Sequence, residues 1–339
     1  MPQFRKDPFS DRWVLLAENR AERPNAIGLS QATGLSSQES VMARCPFCAG
    51  NEADTPPATA VYREGEILCG HGEWQVRVVP NKFPAVTFSG RPELQPDSIF
   101  FQTRDGEGIH EVIVESRDHR TSFSELSSDE ARWVFQAYRD RCEEIKDTTE
   151  LRYVQIFKNA RPGAGASMEH AHSQLIATSD VPPFVEAELA HARQSARPST
   201  GCSFCEMIRV EFAAKARIVM ADSDVVAICP FASRFPYETW VLPRFHTARF
   251  EEMPNSVLAS ASEMTRCVIK KMEIELGKPA YNYLLHTAPL DSGLYPYYHW
   301  HLEIFPRLTQ WAGYEIASGN FINPVAPEKA AERLRASAN

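Results

Sequence analysis

Cysteine and histidine side chains of the kind that bind zinc occur twice along the chain in the same order. In each copy, a C-x-x-C pair precedes a single histidine, which precedes a His-x-His. The first copy contains Cys45, Cys48, His119 and His170-Ala171-His172, and the second contains Cys202, Cys205, His246 and His299-Trp300-His301. Two thiolates and two imidazoles form closed tetrahedral zinc sites in proteins. The pattern therefore predicts two metal sites, one in each half of the chain.

The sequence around the two single histidines also matches, which favours an internal duplication. Glu111 lies eight residues before His119, and Glu238 lies eight residues before His246. The His-x-His follows the single histidine after 51 residues in the first half and after 53 in the second. Ligands in one order with shared surroundings indicate two related halves.

Each His-x-His places two imidazoles on one face of a strand, because residues i and i+2 point the same way. One member of each pair, His170 or His299, completes a four-ligand set with the cysteines and the single histidine of its half. His172 then stands beside the first metal without being needed as a ligand. An imidazole in that place suits nucleophilic or acid–base chemistry. The simpler interpretation is a solvated strand histidine.

The segment before His172 favours the chemical interpretation. In residues 159–168, Gly165 and Ser167 allow backbone N–H groups and a hydroxyl to approach an anion closely. The corresponding segment of the second half, residues 291–298, is bulky and aromatic. We therefore expect chemistry on a phosphate-bearing substrate in the first half and a structural role for the second metal.

The composition of the chain argues against a membrane protein and against a nucleic-acid-binding protein. The chain has 339 residues, a formal net charge of −8 and no apolar run near the roughly 20 residues of a membrane span. The negative charge argues against broad nucleic-acid binding, which needs a basic face. The first residues are charged and carry no apolar secretory segment, so we expect a cytoplasmic protein without a membrane partner.

The cysteines fit metal binding better than a disulfide framework in a chain without an export signal. A redox pair would not need two histidines at matched distances in each half. The cysteines outside the two C-x-x-C pairs are expected to be small buried side chains. They are Cys69, Cys142, Cys229 and Cys267.

Hydrophobic periodicity predicts an α+β fold in which antiparallel strands accompany one long helix in each half. One long helix is expected over residues 127–147, where Ser127 and Glu130 have capping-box spacing, and the other over 256–276, before Gly277. A polar segment, 191–201, is the expected linker between domains at 1–190 and 202–339, which could share one sheet. The remaining predictions are a terminal helix at 327–337 and strands at 11–18, 74–79, 111–115, 151–159, 170–178, 225–229, 239–242, 281–286 and 299–305.

Three further motifs, together with the two His-x-His segments, carry a family resemblance. They are Arg20-Ala21-Glu22-Arg23-Pro24, Asn81-Lys82-Phe83-Pro84 and Gly313-Tyr314-Glu315. Together these motifs resemble the galactose-1-phosphate uridylyltransferase family of the histidine-triad superfamily. In that family the arginines meet phosphates, the second motif lies near the nucleotide and the third meets the hexose. The resemblance implies a substrate-binding set of Arg20, Arg23, Asn81, Asn159, Gly165, Ser167, Gln174, Tyr314 and Glu315.

Gln174 indicates which branch of the superfamily the chain resembles. It follows His172 by two residues, at a place where nucleotide hydrolases carry a third histidine and transferases carry glutamine. An amide can hydrogen-bond a phosphate but is a poor acid–base group, which favours keeping a covalent intermediate. The resemblance implies that His172 and Gln174 are catalytic. His172, oriented by the carbonyl of residue 170, would attack a nucleoside diphosphate sugar and pass the nucleotide to a second phosphate acceptor.

Two departures from the family leave the substrate open. Ala171 replaces the usual proline, and the segment after Glu315 lacks the glutamine that holds galactose phosphate. Both features resemble ADP-glucose phosphorylase. We expect a UDP-glucose:hexose-1-phosphate uridylyltransferase that binds a nucleotide sugar and a sugar 1-phosphate. The alternatives are an ADP-glucose phosphorylase that uses inorganic phosphate and a non-catalytic protein that binds zinc or nucleotide.

Zinc is the expected metal at both sites, with iron as an alternative at the second. The preferred ligands of the second metal copy those of the first: Cys202, Cys205, His246 and His299. The resemblance also offers a set of one carboxylate and three histidines: Glu188, His286, His299 and His301. It further implies a homodimer.

Overall fold

The structure, a computed structural model, describes residues 3–6, 13–16, 45–63, 66–68, 74–88, 100–148, 150–196, 201–291 and 293–337. Eleven of the strands in these ranges form one antiparallel sheet, and three short strands form another. The strands are β1 (Gln3–Lys6), β2 (Trp13–Leu16), β3 (Ala60–Arg63), β4 (Glu66–Leu68), β5 (Val76–Pro80), β6 (Thr103–Asp105), β7 (Gly108–Val114), β8 (Tyr153–Ala160), β9 (His172–Thr178), β10 (Ile218–Ala221), β11 (Val225–Ile228), β12 (Thr239–Pro243), β13 (Tyr281–His286) and β14 (His301–Pro306). The α-helices are α1 (Ser128–Lys146), α2 (Pro183–Ser195), α3 (Ser203–Ala214), α4 (Asn255–Leu276), α5 (Gly313–Ser318) and α6 (Pro327–Ala336). The predicted α+β class is confirmed.

The large sheet runs in the order β10-β11-β12-β14-β13-β8-β9-β7-β5-β3-β4. Strands before residue 190 occupy one side of it, and strands after residue 201 occupy the other. The two sides meet where β8 pairs with β13, from Ala160 opposite Tyr281 to Ile156 opposite Leu285. The prediction that the halves could share one sheet is confirmed, and every predicted strand overlaps an observed one.

Two long helices, α1 and α4, pack against each other and against the sheet. α1 begins at the predicted capping box, where the Ser127 hydroxyl accepts from the Glu130 N–H at 3.1 Å and the Glu130 carboxylate accepts from the Ser127 N–H at 2.7 Å. Such a cap contributes about 1 kcal/mol. α4 ends at Gly277, whose φ of +74° suits a glycine. The predicted apolar face of α1 is buried: Ala131, Val134, Tyr138, Cys142 and Ile145.

The linker predicted over residues 191–201 is wrong in its first five residues, which form the end of α2. Their polarity suggested a loop, but the helix is an exposed one that buries only a narrow side through Val185 and Ala192. Pro183 at its start favours the first helical turn. α3 was also not predicted, and it begins directly after Cys202.

The cysteines outside the C-x-x-C pairs follow the expected burial in part. Cys142 and Cys229 are buried, Cys267 is half-buried and Cys69 lies outside the described residues. Burial raises the pKa of the Cys229 thiol to about 12, so this side chain behaves as a neutral apolar group. Of the helices that the structure describes, none is long and apolar enough to cross a membrane.

Candidate active site and metal groups

The first cysteine–histidine group comes together ahead of β9. Cys45, Cys48, His119 and His170 bring their ligand atoms within 4.8 Å of one another. The Cys48 sulfur lies 3.3 Å from His119 Nδ1 and 3.5 Å from His170 Nδ1. The Cys45 sulfur lies 3.6 Å from His170 Nδ1. A tetrahedral zinc ion with its usual bond lengths sets sulfur and nitrogen about 3.6 Å apart, so the group fits zinc.

The surroundings of this group favour a bound cation. His170 Nε2 lies 2.8 Å from the Ser116 carbonyl, to which it can only donate, so Nδ1 is the ligand atom. Burial lowers the pKa of His170 to about 3, which keeps the imidazole neutral. Burial and the neighbouring Cys45 raise the pKa of the Cys48 thiol to about 12. A dication would reverse that shift, because the thiolate is the form that binds metal.

The second cysteine–histidine group converges in the same way. Cys202, Cys205, His246 and His299 have their ligand atoms within 4.8 Å of one another. The Cys205 sulfur lies 3.6 Å from Nδ1 of both His246 and His299. His299 Nε2 lies 2.9 Å from the Pro243 carbonyl, which again leaves Nδ1 as the ligand atom. This donor set and its spacing fit zinc.

A third group uses the other histidine of the second His-x-His. Glu188, His286 and His301 bring their ligand atoms within 4.8 Å of one another. The Glu188 carboxylate lies 2.8 Å from His286 Nδ1 and 3.2 Å from His301 Nε2. Against the effect of burial, His301 and His286 lower the pKa of Glu188 to about 2. The alternative ligand set for the second metal is therefore brought together only in part, because His299 turns its Nδ1 toward Cys205.

His172 begins β9, two residues after a member of the first metal group. Its Nδ1 lies 2.8 Å from the His170 carbonyl, the contact that the family resemblance implies. Because a carbonyl only accepts, Nδ1 carries the proton and Nε2 carries the lone pair. The ring of Phe47 packs at 5.4 Å from the His172 ring. A neutral imidazole held in this way is suited to nucleophilic attack through Nε2.

A cavity of about 630 Å³ borders His172. Its volume is within the usual range for small-ligand sites. The residues that line it include His172, Gln174, Ser167, Asn81, Phe47 and Phe83. The described residues that line it all lie between Pro46 and Gln174, and none of them belongs to the second half. Aromatic walls with a few polar groups suit a nucleotide.

The side-chain amide of Gln174 is oriented by two neighbours. Its Oε1 lies 3.0 Å from His110 Nε2 and 3.5 Å from Asn81 Nδ2. His110 Nδ1 accepts from the Ala85 N–H at 2.9 Å, so the His110 proton lies on Nε2 and is donated to Gln174. The Gln174 oxygen thus serves as an acceptor, and its NH2 group is the donor that it can offer to a phosphate. His110 has no role predicted from sequence.

Asn159 near the end of β8 and Gly165 in the turn that follows, two predicted substrate contacts, lie close together. A side chain at Gly165, where φ is +87°, would meet Asn159 Nδ2 at 3.9 Å. The Asn159 oxygen accepts from Asn282 Nδ2 at 2.7 Å, which sets the Asn159 NH2 group as a donor. Asn282 also donates to the Ala164 carbonyl at 3.0 Å. A residue of β13, which sequence reasoning missed, therefore holds the turn that follows β8.

Several predicted substrate contacts are not among the described residues that line the cavity. Arg20 and Arg23 lie outside the described residues. Tyr314 is exposed on the short helix α5, and the Glu315 carboxylate accepts from the Ala312 N–H at 3.0 Å where that helix begins. The predicted contacts within the described ranges that do not line the cavity are Asn159, Gly165, Tyr314 and Glu315.

A family model described as galactose-1-phosphate uridyl transferase, N-terminal domain, matches residues 1–182. The chain belongs to this family. A second model, described as a domain of unknown function (DUF4921), matches residues 108–338. The predicted family is confirmed, and with it the prediction of an enzyme of nucleotidyl transfer.

Relatives of the uridylyltransferase family match the chain along nearly its full length. ADP-glucose phosphorylase of Arabidopsis thaliana is 32% identical over 338 residues, which cover 98% of this chain and 92% of that protein. Galactose-1-phosphate uridylyltransferase of Thermotoga maritima is 24% identical over 344 residues, which cover 99% and 98%.

Solved structures agree with these matches. An ADP-glucose phosphorylase from Arabidopsis thaliana with bound ADP-glucose superposes with a TM-score of 0.76 at 31% identity, over 100% of both chains. A uridylyltransferase superposes with a TM-score of 0.80 at 26% identity, over 99% of this chain and 98% of the other. The two kinds of enzyme thus share the architecture of this chain.

Proposed function

We propose that this member of the uridylyltransferase family transfers a nucleotidyl group from a nucleoside diphosphate hexose through a covalent intermediate on His172. The observation that carries the proposal is the 2.8 Å contact between His172 Nδ1 and the His170 carbonyl. It directs the lone pair to Nε2, the nitrogen that would form the bond to phosphorus. Gln174 and Ser167 line the same cavity as His172.

The reaction would proceed by two displacements at the same phosphorus. In the first, the His172 Nε2 lone pair attacks the α-phosphorus, the bond to the bridging oxygen breaks and hexose 1-phosphate leaves with the bonding electrons. In the second, a phosphate oxygen of the acceptor attacks the nucleotidyl-histidine, and Nε2 regains its lone pair. Nδ1 keeps its proton throughout, and the His170 carbonyl stabilises the positive charge that develops on the ring.

The remaining side chains would bind and orient the substrate. Gln174 and Ser167 offer donors to the phosphate oxygens on which negative charge develops. By the family resemblance, Arg20 and Arg23 add positive charge at the phosphates, and Asn81 contacts the nucleotide.

Two donor and acceptor pairs fit this mechanism. A phosphorylase would pass AMP from ADP-glucose to inorganic phosphate, and a uridylyltransferase would pass UMP from UDP-glucose to galactose 1-phosphate. We favour the phosphorylase pair, because the phosphorylase relative is 32% identical, whereas uridylyltransferases of two bacteria are 24% and 27% identical. Ala171 and the lack of a glutamine after Glu315 support the same choice.

The experiment that tests the proposal is intact-protein mass measurement after brief mixing with ADP-glucose and, separately, with UDP-glucose. We expect an adduct of AMP size that inorganic phosphate removes. An adduct of UMP size that galactose 1-phosphate removes would instead assign the uridylyltransferase reaction. Absence of any adduct with both donors would contradict the mechanism and favour a protein that only binds nucleotide.

We further propose that zinc occupies both Cys2His2 groups as a structural ion. Four protein ligands close such a site, so the bound metal would not touch substrate. Zinc at the first group would hold His170, and with it the carbonyl that orients His172. The repeated ligand order, with one long helix beside each group of strands, supports an origin of the halves by duplication.

The exposed apolar segment around α5 supports a homodimer. Trp311, Tyr314, Ile316 and Ile322 are exposed, with 73% of Ile316 accessible. Apolar side chains clustered along one segment favour a covered surface. Tyr314 and Glu315 do not line the cavity of their own chain, so we propose that they meet the hexose in the partner subunit. Ile316→Glu should shift light-scattering mass from dimer to monomer, whereas Phe184→Glu, on exposed α2, should not.

A further inference from the structure

A buried ion pair, Lys158 with Glu115, contacts the backbone of His172 and has no part in the proposed mechanism. Lys158 on β8 and Glu115, directly after β7, pair at 2.6 Å, and their side chains are 1% and 0% exposed. The Glu115 carboxylate also accepts from the Tyr283 hydroxyl at 3.3 Å. A buried ion pair often stabilises a fold no better than apolar side chains of the same volume. Stability alone therefore does not explain why the Lys158–Glu115 pair lies beside the proposed nucleophile, which indicates a functional role.

The three successive carbonyls of the first His-x-His are each held by a different donor. The His170 carbonyl meets His172 Nδ1 at 2.8 Å. The Ala171 carbonyl accepts from the Glu115 N–H at 3.1 Å. The His172 carbonyl accepts from Lys158 Nζ at 3.0 Å. Glu115 thus acts on this segment twice, through its own backbone and through the lysine that its carboxylate holds.

The sheet explains why a side chain supplies the third donor. Peptide groups of successive residues in a strand point alternately to the two neighbouring strands. The Ala171 carbonyl points to the β7 side, where it meets Glu115, so the His172 carbonyl points to the β8 side. The pairing of β8 with β9 runs from Tyr153 opposite Thr178 to Phe157 opposite Gln174. One residue beyond Phe157, Lys158 donates through its ammonium to the carbonyl of His172, which lies two residues before Gln174.

We propose that Lys158, held by Glu115, is a positioning residue for the nucleophile. By fixing the His172 carbonyl, it fixes the backbone from which the His172 ring projects toward the cavity. Neither Lys158 nor Glu115 lines that cavity, so the pair acts through His172 and not on substrate. Displacement of a reacting atom by about 1 Å can cost on the order of 10²-fold in rate. This inference rests on the proposed nucleotidyl-histidine mechanism.

The test removes both charges together, in the variant Lys158→Met with Glu115→Gln. Removing one charge alone would leave the other buried and uncompensated, which is strongly destabilising. The matched control is Arg141→Met with Glu111→Gln, which removes another buried pair, 2.9 Å apart and 7% and 4% exposed. The hydrogen bonds of Arg141 do not involve the His-x-His segment. All variants are full-length chains, and their melting temperatures and metal contents are compared first.

The measured quantities are the rate of adduct formation at saturating donor and the donor concentration that gives half of that rate. We expect the neutral variant to form adduct about 10- to 100-fold more slowly, with the half-saturating concentration unchanged within about threefold. The control pair should keep the rate of the unaltered chain. A neutral variant at the unaltered rate, or a control slowed to the same extent, would overturn the inference.

A second variant, Lys158→Arg, serves if the neutral one does not fold. It keeps the charge balance, but the larger guanidinium cannot place its donors where the ammonium stands. It should slow adduct formation about tenfold, and an unchanged rate would again overturn the inference. An unaltered chain that forms no adduct with either donor would refute the proposed function itself. If the unaltered chain forms an adduct and both Lys158 variants form it at the same rate as the unaltered chain, only the role of Lys158 is refuted.

Discussion

The imidazole of His172 is oriented by a backbone carbonyl. In Ser-His-Asp enzymes the corresponding partner is a carboxylate, which stabilises the charged ring and so supports a histidine that removes protons. The neutral His170 carbonyl, 2.8 Å from Nδ1, fixes the tautomer with much less stabilisation of the charged ring. The arrangement therefore suits a histidine that attacks phosphorus itself.

Replacement of His172 tests its assignment as the nucleophile. His172→Ala should lower turnover by roughly 10⁴-fold or more, because it removes the imidazole on which the proposed covalent intermediate would form. Metal content and melting temperature should stay near those of the unaltered chain, because His172 is not one of the converging metal ligands. Steady-state assays with ADP-glucose and UDP-glucose measure the effect, and substantial retained turnover would exclude the mechanism.

Replacement of His110 tests whether the Gln174 amide must be oriented. His110→Leu removes the donor that lies 3.0 Å from Gln174 Oε1, so the amide can turn its oxygen toward the phosphate. We expect adduct formation to slow about tenfold, less than the roughly 10²- to 10³-fold lost when a catalytic donor itself is removed. Rapid-quench kinetics measure this rate. His191→Leu, on the exposed face of α2, is the control, and an equal loss in both variants would argue against the orienting role.

Among single residues, the sequence predicted those whose spacing along the chain is typical of metal binding. It did not predict those whose contacts depend on how two strands are paired. The C-x-x-C and His-x-His spacings identify the two groups that the structure brings together. His110 was missed because its partner depends on strand pairing. Val112 lies opposite Gln174, which makes His110 a diagonal neighbour on the same face. Nothing in a single sequence states which residues of β7 and β9 are paired.

At the scale of elements, the first metal group ties together the ends of separate segments. Cys45 and Cys48 precede β3, His119 follows β7 and His170 precedes β9. Backbone hydrogen bonds already join these ends, from the Ala49 N–H to the Arg117 carbonyl at 3.2 Å and from the Ala171 N–H to the Arg120 carbonyl at 2.6 Å. A metal bound here would further restrict the backbone that carries His172. Structural zinc sites of this kind contribute apparent free energies of roughly 10–16 kcal/mol to folding.

Removal of one ligand from each group tests metal binding. The unaltered chain should contain two zinc ions, and Cys48→Ser or Cys205→Ser should each leave one. Cys48→Ser should also lower the melting temperature and the activity, because it frees the segment before β9. Elemental mass spectrometry measures the metal content. Cys142→Ser, at a buried cysteine outside both groups, should keep two ions, and equal metal in all variants would contradict both assignments.

Elements marked by capping residues and regular apolar spacing were predicted well. Elements and ligand choices that depend on packing against distant residues were not. The capping box of Ser127 and Glu130 and the apolar spacing after it identify α1. The end of α2 is polar on most of its surface, so its composition predicts a linker where the structure has a helix. The choice of His299 for the second group, and of His301 for the third, depends on which ring nitrogen faces which neighbour. Such choices follow from tertiary packing and not from local composition.

At the scale of the whole molecule, the halves share one sheet and one core. β8 and β13 pair across the boundary between them, and one apolar cluster contains Phe135 of α1 together with Phe250 and Val257 of the second half. The Phe135 and Phe250 rings lie 6.0 Å apart. Separation would expose this core and open an edge on both β8 and β13, which favours aggregation.

Separate expression of the halves tests this dependence. Residues 1–196 and residues 201–339 should each fail to show a cooperative unfolding transition, because each loses the apolar surface that the other buries. The full chain should unfold in a single transition, with tryptophan fluorescence and far-ultraviolet circular dichroism giving coincident midpoints in urea. A cooperative transition in either fragment would show that it folds independently.

The contact made by Asn282 has a consequence for which substitutions evolution tolerates in the second half. This residue belongs to the half that lines no part of the described cavity, yet it holds the Asn159 amide and the Ala164 carbonyl. Selection for activity therefore reaches across the boundary between the halves. In a survey of random variants, substitutions at Asn282 should be lost with those of the 159–167 turn, and not tolerated like substitutions at exposed positions of the second half. The second half would then be retained in part because Asn282 holds the turn that precedes His172 in the first half.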